Sequence, residues 1–370
     1  MRPRRQRIQG ERVTAARNKF PVKTVGFLLT AGVLLLTVAW HFTSGYADVR
    51  LVIAWETPVD AVSKLAIDPQ GQSLLITQEG KFLSISPQGG ITPLPSLPLQ
   101  QVVELTPWGA LVQHADTLLL AGADGTSVEV ADFAPEAHVF PTQTGFLLAQ
   151  AVAEQWTVGD SLQLWQGEEV QHWIWDGRVL LDAASWGDDY AGVSLRTSED
   201  ELTVMLCRFT PEGISWEQEL GSQLPVGFAI VPGQALVALD RTLVAYDGEG
   251  NLRWTYQAAT PILSLAAARH GSLVVEEVGS FNRYRFTHVD PWGEKTWQTT
   301  LGGQLDDVQT GGGWHALLLN GRLWLVEIAG GRVLKTQIVA HKMDMDSEGR
   351  YLIAVGSEGT VMRVLLDSIP

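Results

Sequence analysis

A turn closed by glycine and followed by a short apolar run returns eight times along this chain of 370 residues. It reads DPQGQSLLI at Gly71, TPWGALVQ at Gly109, TQTGFLLAQ at Gly145 and ASWGDDYAGV at Gly187. It returns as IVPGQALVAL at Gly233, ARHGSLVVE at Gly271, GGGWHALLL at Gly313 and DSEGRYLIAV at Gly349. The spacing averages about 40 residues, too short for an independent domain and right for one unit of a closed repeat array. Each copy leads into a second apolar run such as KFLSIS, RTLVAYD or RLWLVEI. After most of these comes another glycine turn and a third run, often carrying tryptophan. The runs are short, β-branched or aromatic, and lack a 3.6-residue period, so they predict strands.

Four short strands every 40 residues or so predict an all-β, eight-bladed β-propeller, with seven blades as the alternative because residues 137–222 carry the weakest pattern. The last unit, residues 343–368, supplies only three strands. Its missing fourth lies at the start, where LVIAWETPVDAVSKLAID (Leu51–Asp68) parallels LRWTYQAATPILSLAAAR (Leu252–Arg269). Residues 49–57 are therefore expected to pair with 343–368 and close the ring, which removes an open sheet edge. The propeller domain is expected over 44–370.

In AYDGEGNLRW, Asp247, Gly250 and Trp254 lie at offsets 0, +3 and +7, and HVDPWGEKTW repeats this with Asp290, Gly293 and Trp297. TPEGISW is a shortened copy ending at Trp216. This Asp-x-x-Gly-x-x-x-Trp spacing resembles the PQQ-like repeats of the quinoprotein-like propellers, over most of residues 49–370. The resemblance implies a propeller of the non-catalytic, membrane-anchored type. Catalytic members of that family are dehydrogenases that use pyrroloquinoline quinone with calcium and carry a vicinal cysteine pair. Here Cys207 is the only cysteine, and blades of about 40 residues leave no length for inserted active-site loops. The family's outer-membrane-barrel assembly lipoprotein has a lipobox cysteine that this chain lacks. Met343–Val364 also resembles a WD-type blade.

No other chemistry emerges from the motifs. The lone cysteine excludes an intrachain disulfide and a cysteine-rich metal site. No two of the eight histidines sit at i, i+2 or i, i+4, the local spacing of metal pairs. Asp344-x-Asp346-x-Glu348-Gly349 resembles the opening of a calcium loop, but loop position 12 is Val355, and an Asp-Gly blade turn is the better reading. Gly311-Gly312-Gly313 has no following helix to cradle a phosphate. There is no Gly-x-Ser-x-Gly elbow. Neither catalytic residues, cofactor nor metal are expected.

Charge separates the chain into two parts. Residues 1–24 hold eight basic side chains (Arg2, Arg4, Arg5, Arg7, Arg12, Arg17, Lys19 and Lys23) against Glu11. With −15 overall and +7 in this leader, the rest carries −22. An acidic folded part argues against nucleic acid. No Asp, Glu, Lys or Arg lies between Lys23 and Asp48, and VGFLLTAGVLLLTVAWHF (Val25–Phe42) is almost wholly apolar. A transmembrane helix is predicted over 25–43, with the basic leader cytoplasmic and the propeller outside the plasma membrane. Gly45-Tyr46-Ala47 also offers a signal-peptidase site, but the long leader and long apolar run favour an uncleaved, single-pass anchor.

Tryptophan supplies the positive clue. Trp108, Trp186 and Trp314 fall at turns between first and second strands, and Trp292 falls between third and fourth. In an up-and-down blade those turns share one rim, so these four residues form a candidate partner-binding patch. The competing reading folds each indole back on its neighbouring blade. The expected function is a scaffold presenting a rigid extracytoplasmic propeller to a protein partner of an envelope complex. The alternative is a ligand-binding sensor or enzyme using the central channel.

Overall fold

The computed structural model describes residues 46–370 except 68–70, 95–100, 107–108, 115–116, 123–125, 131–136, 143–144, 155–156, 167–168, 198–200, 280–281, 358 and 370. The leader and the predicted anchor at 25–43 lie outside the described residues. Among the described residues no helix is long and apolar enough to cross a membrane.

The strands form eight antiparallel sheets, which settles the count at eight rather than seven. Blades 1 to 7 follow chain order, with innermost strands Val62–Ile67, Gln101–Thr106, His138–Pro141, Arg178–Trp186, Pro225–Val231, Ile262–Ala268 and Leu305–Gly311. Blade 8 begins at Lys342–Met345, continues through Tyr351–Val355 and Thr360–Leu365, and takes Val52–Pro58 as its outer strand. Each innermost strand contacts the next around the whole ring, and blade 8 contacts blade 1. The chain's first described strand, Ala47–Val49, adds in parallel to the outer strand of blade 7, Val333–Val339. One segment thus adds a fifth strand to blade 7 and then supplies the outer strand of blade 8, tying the start of the described chain to its last blade.

Second strands are buried on both faces. Ser73–Thr77 and Tyr351–Val355 are fully buried along their length. That explains their continuous apolar runs, since a strand sandwiched between two sheets has no solvent side on which to alternate. The cores lie between blades: Leu273, Val275 and Phe286 of blade 6 pack with Leu317 and Leu319 of blade 7. Innermost strands carry a bulge at a recurring position, as between Leu180 and Asp182, Ile262 and Ser264, and Leu305 and Asp307. The extra residue sharpens the local twist where blades converge on the axis.

Candidate partner-binding face

The Asp-x-x-Gly-x-x-x-Trp spacing resolves into a chain of inter-blade locks. In blade 5, Asp247 Oδ1 accepts the backbone N–H groups of Glu249 and Asn251, and Gly250 N–H donates to Asp247 O. Asp290 caps the corresponding blade 6 turn through the N–H groups of Trp292 and Glu294. Gly250 and Gly293 hold φ of +82° and +88°, where a side chain is strained. A Cβ there would lie 2.9 Å from the Trp216 ring and 2.7 Å from the Trp254 ring. The glycine of one motif therefore receives the tryptophan of the preceding blade.

Each docked indole also donates Nε1 into the receiving turn. Trp216 reaches Gly248 O at 2.9 Å, Trp254 reaches Pro291 O at 2.9 Å, Trp297 reaches Ile328 O at 2.7 Å and Trp55 reaches Pro87 O at 3.0 Å. A second donor joins three of these carbonyls. Arg208 Nη1 bonds Gly248 O at 2.8 Å, Gln234 Nε2 bonds Pro291 O at 3.0 Å, and Arg363 Nη1 bonds Pro87 O at 2.8 Å. Both arginines stack on an aromatic ring of their own blade, Arg208 on Trp186 and Arg363 on Tyr351.

The four rim tryptophans have different fates. Trp108 lies outside the described residues. Trp186 is buried, edge-on to Trp216 and beneath Arg208, so it belongs to the lock between blades 4 and 5 rather than to the surface. Trp292 is 76 % exposed at the tip of its turn. Trp314 is half-buried, packed against the core shared by blades 7 and 8, and borders an open cleft of about 390 Å³ lined also by His270, Gly313, Glu327, Ile328 and Ala329. Trp292 and Trp314 thus sit on the expected rim, and folding back accounts for Trp186.

Between blades 6 and 7 lies a pair that local spacing did not reveal. His288 Nδ1 and His315 Nε2, on the facing strands of blades 6 and 7, share a hydrogen bond of 3.1 Å, and His315 Nδ1 lies 2.9 Å from Thr310 Oγ1. Trp297 stacks on His288 and meets His315 edge-on. Burial lowers both imidazole pKa values, that of His315 well below the usual range. The pair is 27 residues apart in sequence, so the only available signal was the repeat register itself.

Innermost strands carry Asp182, Asp307 and Asp344, all with pKa raised by burial, Asp344 to about 7. Each accepts a backbone N–H: Asp182 from Ala183, Asp307 from Val308, and Asp344 from Met345 and from Ile67 of blade 1. Asp346 of the calcium-like stretch accepts the N–H groups of Arg350 and Tyr351, and Gly349 turns at φ +63°, as an Asp-Gly blade turn requires. Cys207 is buried, its Sγ 3.3 Å from Gly192 O and its thiol pKa pushed up to about 12 by burial. Among the described residues, no group of three or more His, Cys, Asp or Glu side chains could hold a metal ion.

In sequence the chain matches no protein-family model and no curated protein. Solved structures share its architecture. Sqt1 of Saccharomyces cerevisiae superposes with a TM-score of 0.55 at 8 % identity, over 87 % of this chain and 99 % of that one. BBS1N, solved in complex with ARL6DN, gives 0.49 at 15 % identity over 88 % and 99 %. BamB from Moraxella catarrhalis, a PQQ-like repeat propeller, gives 0.37 at 13 % over 83 % and 86 %. The Sqt1 match, at 8 % identity, is a likeness of fold alone, that of a β-propeller.

Proposed function

We propose that this chain is a non-enzymatic, membrane-anchored scaffold of the PQQ-like type. It holds its propeller outside the plasma membrane and engages a protein partner of an envelope complex through the rim that bears Trp292 and Trp314. The observation that carries this reading is Trp292, an indole 76 % exposed at a turn tip while its repeat neighbours Trp254 and Trp297 are docked. Leaving so large an apolar ring in water is unfavourable for the isolated chain and is the mark of an anchor residue at an interface. The apolar segment at 25–43 supports the tether. The channel alternative has less support, because Asp182, Asp307 and Asp344 are committed to backbone N–H groups.

Two measurements test the proposal. A photo-crosslinking residue in place of Trp292 captures one discrete envelope protein, whereas the same residue at Glu79, on the opposite rim, does not; equal or absent capture from both overturns the reading. Cys207 is buried and poorly nucleophilic, so a Glu79→Cys variant carries the only reactive thiol. A membrane-impermeant maleimide labels that thiol in intact spheroplasts if the propeller is outside. Labelling only after lysis contradicts the assigned orientation.

A further inference from the structure

A chain of hydrogen bonds crosses the seam between blades 6 and 7 through two buried imidazoles. His288 is 2 % exposed and His315 is fully buried. The His270 backbone bonds the His288 ring in the sense that favours its protonation, as a carbonyl acceptor does. Nδ1 of His288 is already turned to His315, so the bonded nitrogen is Nε2. Gly271 leaves room on that side, where a Cβ would lie 2.8 Å from Nε2. With both rings neutral, these contacts fix every proton. His288 Nε2–H donates to His270 O, which leaves Nδ1 bare to accept His315 Nε2–H at 3.1 Å. His315 Nδ1 is then bare as well and accepts the Thr310 hydroxyl at 2.9 Å. Trp297 closes one side of the pair, stacked on His288 at 5.5 Å and edge-on to His315 at 5.6 Å. Its Nε1 donates across the seam to Ile328 O, which receives no second side-chain donor among the described residues.

A further proton has no good place in this chain. On His288 Nδ1 it sets one N–H against another at 3.1 Å, and on His315 Nδ1 it leaves a cation out of reach of water. The charged groups around the pair do little to offset this. Asp290, in the following turn, attracts a charge on His288, and His270 repels it. Lys295, opposite Val289 on the outer strand, is exposed. Glu327 adjoins Val326, the cross-strand partner of His315, but is ion-paired with Arg332 at 3.4 Å. The charge that acts on His315 is that of His288, and it repels. We propose that the His288–His315 pair is an acid-operated latch. A proton taken up between blades 6 and 7 breaks the imidazole–imidazole bond, parts the two sheets at this seam and withdraws Trp297 from Ile328 O, while the neighbouring seams stay closed. In blades 4 and 8 the position of His288, opposite the outer-strand tryptophan, is held by Arg208 and Arg363, whose charge does not change with pH. The latch needs no partner and stands apart from the scaffold reading.

The direction of the response follows from linkage. An imidazole released to water takes its proton near about pH 6.5, and burial holds both rings below that value. The open seam therefore binds protons that the closed seam refuses. Closure is fully favoured above about pH 6.5 and is lost as pH falls, the open fraction rising up to about tenfold per pH unit for each proton taken up. Asp344, at the seam of blades 8 and 1, works in the opposite sense because its pKa is raised, so a local opening is distinguishable from a general weakening by acid.

The full chain in detergent micelles, isotope-labelled at its tryptophan and histidine nitrogens, is titrated by nuclear magnetic resonance from about pH 8 down to about pH 5, across the range in which histidine changes charge. At the alkaline end both rings are expected as Nε2–H tautomers. As the pH falls, the Trp297 indole N–H signal is expected to shift or broaden together with the two rings. The signals of Trp216 and Trp254, which donate across the two preceding seams, are expected to hold. The double variant His288→Gln, His315→Gln is expected to make the Trp297 signal independent of pH. A Trp297 signal unchanged at the acid end, or one that changes only in step with Trp216 and Trp254, overturns the proposal. That comparison uses the parent chain alone and decides the matter even if the double variant fails to fold. A folded double variant that keeps the parent's Trp297 titration overturns it equally.

Discussion

The seam between blades 5 and 6 and the seam between blades 3 and 4 solve one mechanical problem by different means. At the first, Trp254 slides under Gly293 and bonds Pro291 O, with Gln234 beside it. At the second, no indole docks in the receiving turn among the described residues. Trp175 instead meets Phe209 edge-on at 4.7 Å, and buried Asp160 of blade 3 accepts the N–H of Leu180 in blade 4. Blades 3 and 4 also have longer strands, with Gly145–Glu154 and Thr157–Gln166 each ten residues. A lock built on a rigid turn needs glycine and tryptophan at fixed offsets. A seam built on extended sheet contact needs only apolar bulk, so its residues vary freely.

The sharpest way to break this comparison is Gly293→Val. It combines a disfavoured φ of +88° with a clash against Trp254, and about 4 kcal/mol of destabilisation is expected in urea unfolding. The same change at Gly213, the matching turn of blade 4, meets nothing within 4 Å and is expected to cost about 1 kcal/mol for its strained φ alone. Equal costs would mean that the glycines serve the turns and not the docking. Asp160→Ala is expected to cost about 2 kcal/mol at the other seam, because it leaves the buried Leu180 N–H unpaired.

The closing seam between blades 8 and 1 adds a pH dependence. Asp344 has its pKa raised to about 7, above the 3.8 of an unperturbed aspartate, by burial. The folded state therefore holds a proton that the unfolded state releases, and stability falls as pH rises from about 4 to about 7. Asp344→Asn should flatten the profile of unfolding midpoint against pH by up to roughly 1.4 kcal/mol per unit in that window. An unchanged slope would place the titration elsewhere. The smallest expected effect is that of Trp292→Ala, within about 0.5 kcal/mol of the parent in unfolding, because an exposed side chain contributes little to the fold. A large loss of stability would make Trp292 a structural residue and remove it from the partner-binding rim.

The locks were legible where they use local spacing. Asp247, Gly250 and Trp254 advertise a capped turn and an aromatic strand, and the eight turn glycines point to eight blades, while the weak region of 137–222 left seven open and only the sheet topology decides. The candidate site was legible in part. Trp292 and Trp314 stand on the expected rim, but exposure depends on what the neighbouring blade offers, and for Trp186 that neighbour offers Arg208 and Trp216. The His288–His315 pair was hidden because its residues belong to different repeats. Only the register between blades brings them together.

By itself the sequence determined the strand period, the glycine turns and the supply of an outer strand from residues near the start, because these rest on backbone conformation and short-range spacing. Tertiary structure decided which tryptophans are locked, which carbonyl lacks its second donor and which carboxylates carry raised pKa values. Those properties depend on the packing of one sheet against the next, where a residue such as His288 finds its partner only in the neighbouring blade.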